Sequence, residues 1–424
     1  MLKFINLLFI TGIACLLFAC NVEDTPSLSI ENPDPAETVE PADPILLTTK
    51  QGEKVEADNR FALKMFGEVS KLAVTPNTFF SPLSLNLALG MLYNGASGDT
   101  RTEMAEVLGM ADFTETEINE YYQKMSKSLL EIDPLTELAI ANSIWYRDGF
   151  PVKQPFIDIN KNYFDAEVKS LDFSKPDAAD IINLWCAAQT KDRIKNIIAN
   201  PIPDNIMMYL INALYFKSKW ESQFDKANTK QDDFTKTGNV RIKANMMEQI
   251  HTFPYYADEY MQCVELPYGN QAFSMVAILP ADHINLDQLI GRIDESVWSN
   301  IVNNLYPRDV MLKLPRFKIE CEMSLNDPVI NVGMRLIFNP LLANFAHISD
   351  IDLVVSYIKQ KTFVEVNEEG TEAAAVTVIG METTAFPSPS IPVQFFANRP
   401  FLYLIKEKST GAILFIGRMD EPVE

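Results

Sequence analysis

The chain is poor in the residues from which most enzyme sites are built. Its 424 residues include only three histidines, His251, His283 and His347, and none has a partner at the spacing of a metal site. The sequence contains no His-Glu-x-x-His, no Gly-x-Ser-x-Gly and no Walker loop. We therefore predict that the protein is not an enzyme and uses no metal and no cofactor.

Basic residues are also scarce. Lys and Arg number 36 against 57 Asp and Glu, for a net charge of −21. A protein that binds nucleic acid needs a cationic surface to meet the phosphates, so the composition argues against a nucleic-acid partner. It also argues against a heparin-type polyanion, and the segment 111–133 supports this with only two basic residues, Lys124 and Lys127.

Cysteines are few and widely spaced. Cys15 and Cys20 lie in an apolar leader, which leaves Cys186, Cys263 and Cys321 in the body. Three cysteines cannot all pair, and no tight spacing indicates a metal site. Since all three lie in apolar stretches, the sequence predicts buried free thiols.

Long apolar runs are absent except at the N-terminus. Lys3 precedes a run from Phe4 to Ala19, as in a secretory signal. The run ends in Leu17-Phe18-Ala19-Cys20, which resembles a bacterial lipobox, so residues 1–20 are predicted to be a lipoprotein signal with Cys20 as the lipidated residue. The alternatives are an ordinary cleaved signal or an uncleaved anchor.

Residues 21–50 are predicted to form an extended, disordered tether. Positions 21–49 contain five prolines and seven acidic residues but no Lys or Arg, and this composition cannot build a core. Glu23-Asp24 resembles the sorting signal of surface lipoproteins. We expect an exported protein, lipid-anchored in a bacterial cell envelope at the outer membrane or cell surface; the alternative is an extracellular or periplasmic protein.

Residues 51–424 are predicted to form one α+β domain, since no second linker or internal repeat interrupts them. Helices come early, over 59–71 and from Ser81-Pro82 onward. Short apolar segments that predict strands follow, at 138–145, 208–216, 271–280 and 412–418. The order lacks the βαβ alternation of a parallel sheet.

One segment has an unusual composition. After a strand-like start at Val364, small side chains follow a conformationally permissive glycine, and no large apolar residue occurs until Val376. Alternate side chains of a strand face the same side, so Thr371, Ala373, Ala375 and Thr377 would share one face. The segment is Glu368-Glu369-Gly370-Thr371-Glu372-Ala373-Ala374-Ala375-Val376-Thr377.

This segment resembles the hinge of serpins almost letter for letter, and other strings resemble serpins in the same order along the chain. They are Asn77–Ser84, Leu210–Trp220, Val264–Tyr268, Leu314–Phe317, Asn398–Phe401 and Ile413–Arg418. The resemblance implies the serpin fold: a large, mostly antiparallel β-sheet A, two smaller sheets, about eight or nine helices and an exposed reactive-centre loop over about 368–396.

The resemblance also assigns roles. Shutter and breach residues, where the main sheet opens, would be Asn77, Ser81, Ser84, Asn212, Trp220, Gln360 and Lys361. Gln360 stands where many serpins have histidine, and a glutamine can still link toward Asn212 and Ser81 without titrating. Asp192 stands where serpins usually have glycine, which affects a local turn.

The scissile bond is placed by family geometry about fourteen residues beyond the hinge glycine. From Gly370 this count predicts cleavage between Thr384 and Ala385, with Met381, Glu382 and Phe386 as secondary candidates. Thr384 and Ala385 suit shallow protease pockets, so elastase-like or subtilisin-like serine proteases are the expected partners.

The resemblance implies a monomeric protease inhibitor that is cleaved as a suicide substrate, traps the acyl-enzyme and inserts its cut loop into sheet A. Papain-like cysteine proteases also form an acyl-enzyme and are possible targets. The competing hypothesis is a non-inhibitory serpin that acts as a chaperone or binding module. Such relatives carry bulky, charged or proline residues in the hinge, whereas the positions of this hinge that would face the core, Thr371, Ala373, Ala375 and Thr377, are all small.

Overall fold

The fold consists of two packed β-sheets surrounded by helices. The computed structural model describes residues 40–72, 76–371 and 391–423. The helices in these ranges are α1 (Thr49–Val69), α2 (Pro82–Tyr93), α3 (Gly98–Val107), α4 (Glu115–Glu131), α5 (Gln154–Phe164), α6 (Ala178–Gln189), α7 (Leu286–Ile290), α8 (Glu295–Asn303) and α9 (Asn326–Asn331).

The strands alternate with these helices in the first half of the chain and dominate the second half. They are β1 (Thr78–Phe80), β2 (Glu137–Arg147), β3 (Glu167–Leu171), β4 (Met208–Lys219), β5 (Lys230–Lys236), β6 (Val240–Ala257), β7 (Met261–Pro267), β8 (Phe273–Pro280), β9 (Tyr306–Pro315), β10 (Phe317–Ser324), β11 (Lys359–Asn367), β12 (Gly370–Thr371), β13 (Val393–Phe396), β14 (Phe401–Glu407) and β15 (Ile413–Met419). The predicted α+β class is confirmed.

The main sheet has six strands in the order β10-β11-β12-β4-β2-β3. All neighbours are antiparallel except β2 and β3. Its two faces are both covered: Leu214 and Phe216 of β4 belong to the large core, while Tyr209 and Ile211 pack with α6 in a smaller cluster. This alternation is the two-residue period of a strand that is buried on both sides.

The second sheet has nine strands in the order β1-β15-β14-β8-β7-β6-β9-β13, with β5 pairing to β6. The resemblance implied two smaller sheets beside the main one. In the described residues these two are continuous, because the 18-residue strand β6 pairs with β5, β7 and β9 along its length.

Local signals explain where the first helices begin. Thr48 caps α1 with a reciprocal bond to Gln51, so this helix begins ten residues before the predicted 59–71 segment. Ser81 caps α2 by accepting a bond from the Ser84 amide, and Pro82 takes the first helical position. The helix predicted from Ser81-Pro82 therefore begins where expected.

Residues 40–47, which fall within the predicted tether, lie along the body. The Ala42 amide donates to the Asn270 carbonyl at 2.9 Å and the Ile45 amide to Ser409 Oγ at 2.9 Å. Ala42, Ile45 and Leu47 pack against the core. In the part of the chain from Glu40 onward, order thus begins before α1.

The body cysteines are buried free thiols, as predicted: Cys186, Cys263 and Cys321. Burial raises the pKa of Cys186 to about 12, so this thiol stays protonated and unreactive at neutral pH. No cluster of His, Cys, Asp and Glu among the described residues could hold a metal ion. The described helices also include none with the length and apolar character needed to span a bilayer.

Candidate functional site

The candidate site is an opening in the main sheet between β4 and β11. The two strands are bridged at one end by β12, which pairs with both: Thr371 lies opposite Val366 on β11 and opposite Ser218 on β4. Beyond Thr371, residues 372–390 lie outside the described part of the chain. Gly370 and Thr371, the described start of the hinge strand, therefore occupy the bridged end of this gap.

Gly370 is required at the tip of this entry. Its φ is +153°, a conformation that side-chain-bearing residues rarely adopt. A Cβ atom there would also collide with the carbonyl oxygen of Ser218 and the Cα of Lys219. The glycine lets the hairpin between β11 and β12 pass directly against the end of β4.

Thr371 is held by the Tyr268 hydroxyl, and the Tyr268 ring in turn stacks on Trp220. The Thr371 hydroxyl and that of Tyr268 lie 2.7 Å apart. The Tyr268 ring stacks on the Trp220 indole with centroids 4.4 Å apart, and the indole N–H donates to the Asn367 carbonyl at 2.9 Å. All three side chains are buried or nearly so, so β12, Tyr268 and Trp220 form one packed unit.

The two glutamates of the hairpin are held by cations and backbone. The Arg316 guanidinium donates to Glu368 at 2.7 Å, the Thr229 hydroxyl donates to the same carboxylate, and Lys226 pairs with Glu369. Burial raises the pKa of Glu368, but the bonds from Arg316 and Thr229 outweigh it and hold that pKa below its ordinary value. Glu368 is therefore ionised and fixed at neutral pH.

Beyond β12, along the rest of β4 and β11, no described strand lies between the two. Within the described residues, β4 and β11 are connected only through β12, so both strands present backbone groups toward the gap. A cavity of about 360 Å³ lies there, and its walls include residues 208–213 of β4, residues 352–361 before and within β11, and Ile194, Ile197 and Ile198. An extended strand is the structure that satisfies two such edges at once.

Gln360 fastens β11 to the start of α2. Its Oε1 accepts from the Ser81 amide at 2.8 Å, and its Nε2 donates to the Ser81 carbonyl at 2.9 Å. The Ser81 hydroxyl in turn donates to the Leu414 carbonyl at 2.9 Å and caps α2 through the Ser84 amide at 3.1 Å. The expected link from Gln360 to Ser81 is present and runs through the Ser81 backbone.

Asn212 on β4 does not meet Gln360. Its Nδ2 donates to Asn142 Oδ1 on β2 at 2.7 Å, and Asn142 donates to the Phe164 carbonyl. The Oδ1 of Asn212 is buried and accepts no hydrogen bond from the described residues. The link across the gap from Gln360 to Asn212 is therefore not formed in this structure, because the two residues lie on strands that have no direct pairing here.

The linker from α6 to β4, residues 190–207, crosses the outer side of the gap. Lys361 on β11 donates to the Lys195 carbonyl at 3.1 Å, and the Arg193 guanidinium lies over the Phe363 ring at 4.8 Å. On the other side, Lys191 pairs with Glu137 at the start of β2. We call this segment the crossing linker, and it is tied to both sides of the opening.

The crossing linker contains an unusual run of left-handed backbone. Lys191, Asp192 and Asn196 have φ angles of 48°, 64° and 56°. Asp192, where the serpin resemblance led us to expect glycine, adopts the conformation that a glycine would adopt at lower cost. Asp192 therefore stands in place of the expected glycine but has a backbone conformation that a glycine would also adopt.

The remaining predicted residues lie as follows. Asn77 accepts from the amides of Asp420 and Glu421 and so fastens the C-terminus. Met381, Glu382, Thr384, Ala385 and Phe386, the hinge residues from Glu372 to Thr377, and Cys20 lie outside the described residues.

Several residues of this site were absent from the sequence prediction, among them Tyr268, Arg316, Thr229 and Asn142. Tyr268 and Arg316 lie within strings that had been noted for their resemblance to serpins, and their position in those strings was the available signal. Thr229 and Asn142 carry no local pattern and become visible only through their contacts.

Comparison with known families identifies what this architecture resembles. A family model described as "Serpin (serine protease inhibitor)" matches residues 56–422. A serpin-like protein of Thermococcus kodakarensis is 32% identical over 410 residues, which cover 93% of this chain and 94% of the relative.

Solved structures agree. The thermophilic serpin tengpin in its native state superposes with a TM-score of 0.80 at 30% identity, over 90% of this chain and 97% of the other. Human thyroxine-binding globulin, solved in complex with its hormone, gives 0.79 at 25% identity over 89% and 100%. Both of these solved chains are matched over almost their whole length.

Proposed function

The chain belongs to the serpin family, and we propose that it inhibits serine proteases by offering its loop for cleavage and inserting the cut loop between β4 and β11. The observation that carries the proposal is that the described parts of β4 and β11 are separated and are bridged at one end by the two residues of β12. Papain-like cysteine proteases pass through the same acyl-enzyme stage and are included as targets.

The register of β12 supports insertion residue by residue. If residues after Thr371 continue the pairing seen at Thr371, Ala373 will lie opposite Phe216 and Val364. Phe216 is buried in the large core, so only a small side chain fits on that face without overpacking. The small residues at 373 and 375 meet this requirement.

If the strand after Thr371 continued in the same register, Thr377 would lie between Asn212 and Gln360. Its hydroxyl can donate to the buried Asn212 Oδ1, which accepts no bond within the described residues. Insertion would then complete the connection across the opening that Gln360 and Asn212 do not make directly. The proposed motion thus satisfies a buried polar atom as well as two strand edges.

The predicted cut between Thr384 and Ala385 gives the inserted strand its length. Fourteen residues extend about 46 Å at about 3.3 Å per residue, which carries an acylated protease from the entrance of the opening toward its far end. Elastase-like and subtilisin-like proteases are proposed because both flanking side chains are small.

The test is to incubate a chain that begins at Glu40 with subtilisin and with neutrophil-type elastase. We expect a covalent complex that survives boiling on a denaturing gel, and a released peptide that begins at Ala385 by mass spectrometry. A different peptide start would move the cut to Met381, Glu382 or Phe386 and retain the mechanism.

Two adjacent substitutions provide the matched control. Ala373→Glu places a charge on the face toward Phe216, whereas Ala374→Glu places it on the opposite face. We expect the first to turn the protein into a substrate, with at least about tenfold more inhibitor consumed per protease trapped, and the second to have a much smaller effect. Equal behaviour of the two variants would contradict the proposed insertion.

The competing function is that of a non-inhibitory serpin. Thyroxine-binding globulin shows that a protein of this fold can form a complex with a small hormone. Cleavage of the loop without a covalent complex, across a broad panel of serine and cysteine proteases, would favour that alternative.

We further propose that Cys20 is lipidated and that the protein acts at the bacterial cell envelope, on the outer membrane or cell surface. The support is the leader that ends in Leu17-Phe18-Ala19-Cys20. In cell fractionation with acyl-chain labelling, Cys20→Ser should abolish the label and release the protein from membranes. A labelled or membrane-bound Cys20→Ser variant would contradict it.

A further inference from the structure

Two tyrosines face each other across the gap between β4 and β11, at the end opposite to β12. Tyr209 is the second residue of β4, and Tyr357 comes two residues before β11. Their ring centroids are 6.0 Å apart with the ring planes at 55°, which is contact distance for an aromatic pair. Both residues line the cavity of the gap. We call Tyr209 and Tyr357 the tyrosine pair.

Each tyrosine is held from its own side of the gap. Tyr209 is buried in the smaller core cluster with α6, and its ring centroid lies 5.6 Å from that of Phe173. Asn326, the first residue of α9, fixes the backbone on either side of Tyr357. Its Nδ2 donates to the carbonyl of residue 356 at 3.1 Å, and its Oδ1 accepts from the amide of residue 358 at 2.6 Å. Tyr357 is 37% exposed, so it is the member of the pair that can be replaced without opening the core.

The two tyrosines lie at the same level of the sheet. At β12, Thr371 pairs with Ser218 on β4 and with Val366 on β11. An antiparallel strand that continued from Thr371 in this register would advance by one residue for each residue by which both neighbours recede. Nine residues on, position 380 would lie opposite Tyr209 and also opposite Tyr357. The registers on the two sides of the gap therefore lead to the same residue.

Residue 380 is a glycine, and it is the only one between Thr371 and Thr410. Glycine weakens the interior of a strand, because it loses more conformational freedom on folding and has no side chain to pack. Residues directly opposite one another share a face of the sheet, so a side chain at 380 would point to the face on which the two rings meet. With only a hydrogen there, the rings can stay together above the strand, and aromatic rings that cover a glycine compensate for its missing side chain.

The space between the rings limits what can pass. The walls of a gap that holds one strand are about 9.5 Å apart, twice the spacing of neighbouring strands. Two tyrosine side chains that reach toward each other over this distance, with ring centroids 6.0 Å apart, leave no room for a third side chain between them. A large residue at position 380 would therefore have to push the rings apart.

We propose that the tyrosine pair covers Gly380 when the cut loop inserts, and that it acts as a size filter on the last part of insertion. This inference rests on the proposed inhibitory function. With the cut after Thr384, four residues follow Gly380, so a strand stopped at the pair would leave the protease about 13 Å short of its final position at about 3.3 Å per residue. The acyl-enzyme would then have time to hydrolyse, and the inhibitor would be consumed as a substrate.

The first experiment varies both partners of the contact in the chain from Glu40 onward. Gly380→Leu should raise the number of inhibitor molecules consumed per subtilisin trapped about fivefold or more, as is usual when residues in contact are coupled. This ratio compares insertion with hydrolysis and does not depend on how fast the protease first cuts the loop. In a Tyr357→Ala background, which lacks one ring, Gly380→Leu should change the ratio less than about twofold.

Tyr357→Phe is the matched control. It keeps the ring and removes only the hydroxyl, so it should preserve the full effect of Gly380→Leu. If Gly380→Leu had the same effect in the native, Tyr357→Phe and Tyr357→Ala backgrounds, or no effect in any of them, the proposal would be overturned.

A peptide separates this inference from the proposed function, because it needs no protease. A fluorescent peptide of residues 372–384 should enter the gap of the intact chain and raise its unfolding midpoint. Gly380→Leu in the peptide should slow its association about fivefold or more with the native chain, but not with the Tyr357→Ala variant. Discrimination that depends on Tyr357, together with no covalent trapping of any protease, would remove the inhibitory function and retain the size filter. Trapping with full tolerance of Gly380→Leu would retain the inhibitory function and remove the filter.

Discussion

The buried oxygen of Asn212 offers a test at the level of a single atom. A buried acceptor without a partner costs about 1–3 kcal/mol, and the register of β12 would bring the Thr377 hydroxyl to it after insertion. We expect Thr377→Val, which keeps the side-chain shape, to destabilise the cleaved protein by about 1–3 kcal/mol and to leave the intact protein within about 0.5 kcal/mol. Urea unfolding of both forms measures the two differences.

A second substitution identifies the partner. In an Asn212→Ala background the acceptor is missing, so Thr377→Val should no longer destabilise the cleaved form. Persistence of the full effect in that background would show that the hydroxyl has another partner, and the proposed register would be wrong.

Glu368 gives a prediction about pH. Because bonds from Arg316 and Thr229 hold its pKa below the ordinary 4.5 of a glutamate, its ionised form stabilises the folded state above the unfolded-state pKa. This stabilisation is lost as the pH falls through the lower folded-state pKa. The stability difference between the native protein and Glu368→Gln should therefore be largest near pH 7 and shrink below about pH 4.5.

Thermal unfolding between pH 3 and pH 7 measures this difference. The matched control is Glu365→Gln, three residues earlier on β11, whose cation Lys318 lies 3.9 Å away. A weak, partly exposed pair of this kind contributes about 0–1 kcal/mol. A pH-independent difference for Glu368→Gln would contradict the assignment.

For single residues, the sequence predicted which hydrogen bonds a side chain can make. It was less able to predict the residue to which that side chain bonds. That Gln360 can donate and accept at once follows from its amide, and both bonds go to Ser81. That Asn212 bonds to Asn142 could not be read from the chain, because the pairing depends on β2 lying beside β4, seventy residues apart in sequence.

Among the elements, the crossing linker is the one that we expect to move when a strand enters between β4 and β11. Lys361 ties it to β11 through the Lys195 carbonyl at 3.1 Å, and we expect this contact to break during insertion. We expect Lys361→Ala to speed insertion about two- to fivefold, which corresponds to about 0.4–1 kcal/mol of barrier. Stopped-flow fluorescence of a dye-labelled loop during reaction with subtilisin follows the rate.

Lys359→Ala is the control for this element. Both lysines lie on β11 and pair with glutamates of β10, Lys361 with Glu320 at 3.0 Å and Lys359 with Glu322 at 2.8 Å. Only Lys361 also contacts the crossing linker among the described residues. Equal acceleration by both variants would trace the effect to the pairing with β10.

A helix or strand could be predicted from the sequence where the residues that determine its ends lie close together in the chain. The start of α2 could be predicted because Ser81 and Pro82 cap it within one turn. The earlier start of α1 at Thr49 was missed because its cap, Thr48, lies in a stretch whose prolines and acidic residues favour disorder. The continuity of the second sheet depends on the length of β6 and has no local signal.

For the whole molecule, the fold and the entrance to the gap were predictable because several strings resembling serpins occur in order. Charge and composition by themselves only excluded classes of function, such as nucleic-acid binding. The separation of β4 from β11 could not be predicted, since it depends on two strands that, among the described residues, are joined only through Gly370 and Thr371.

If the cut loop inserts between β4 and β11, which the described residues join only through β12, the cleaved protein will be more stable than the intact one. A strand of about ten residues paired on both sides would add about 10 kcal/mol or more, at about 0.5–1.5 kcal/mol per hydrogen bond. For a chain of this size each kcal/mol raises the unfolding midpoint by about 1–3 °C, so cleavage between Thr384 and Ala385 should raise it by at least about 10 °C. Calorimetry before and after limited cleavage measures the shift. In the Ala373→Glu variant, whose added charge would face Phe216, cleavage should raise the unfolding midpoint far less. If cleavage left the midpoint of the native sequence unchanged, the cut loop would stay outside the sheet.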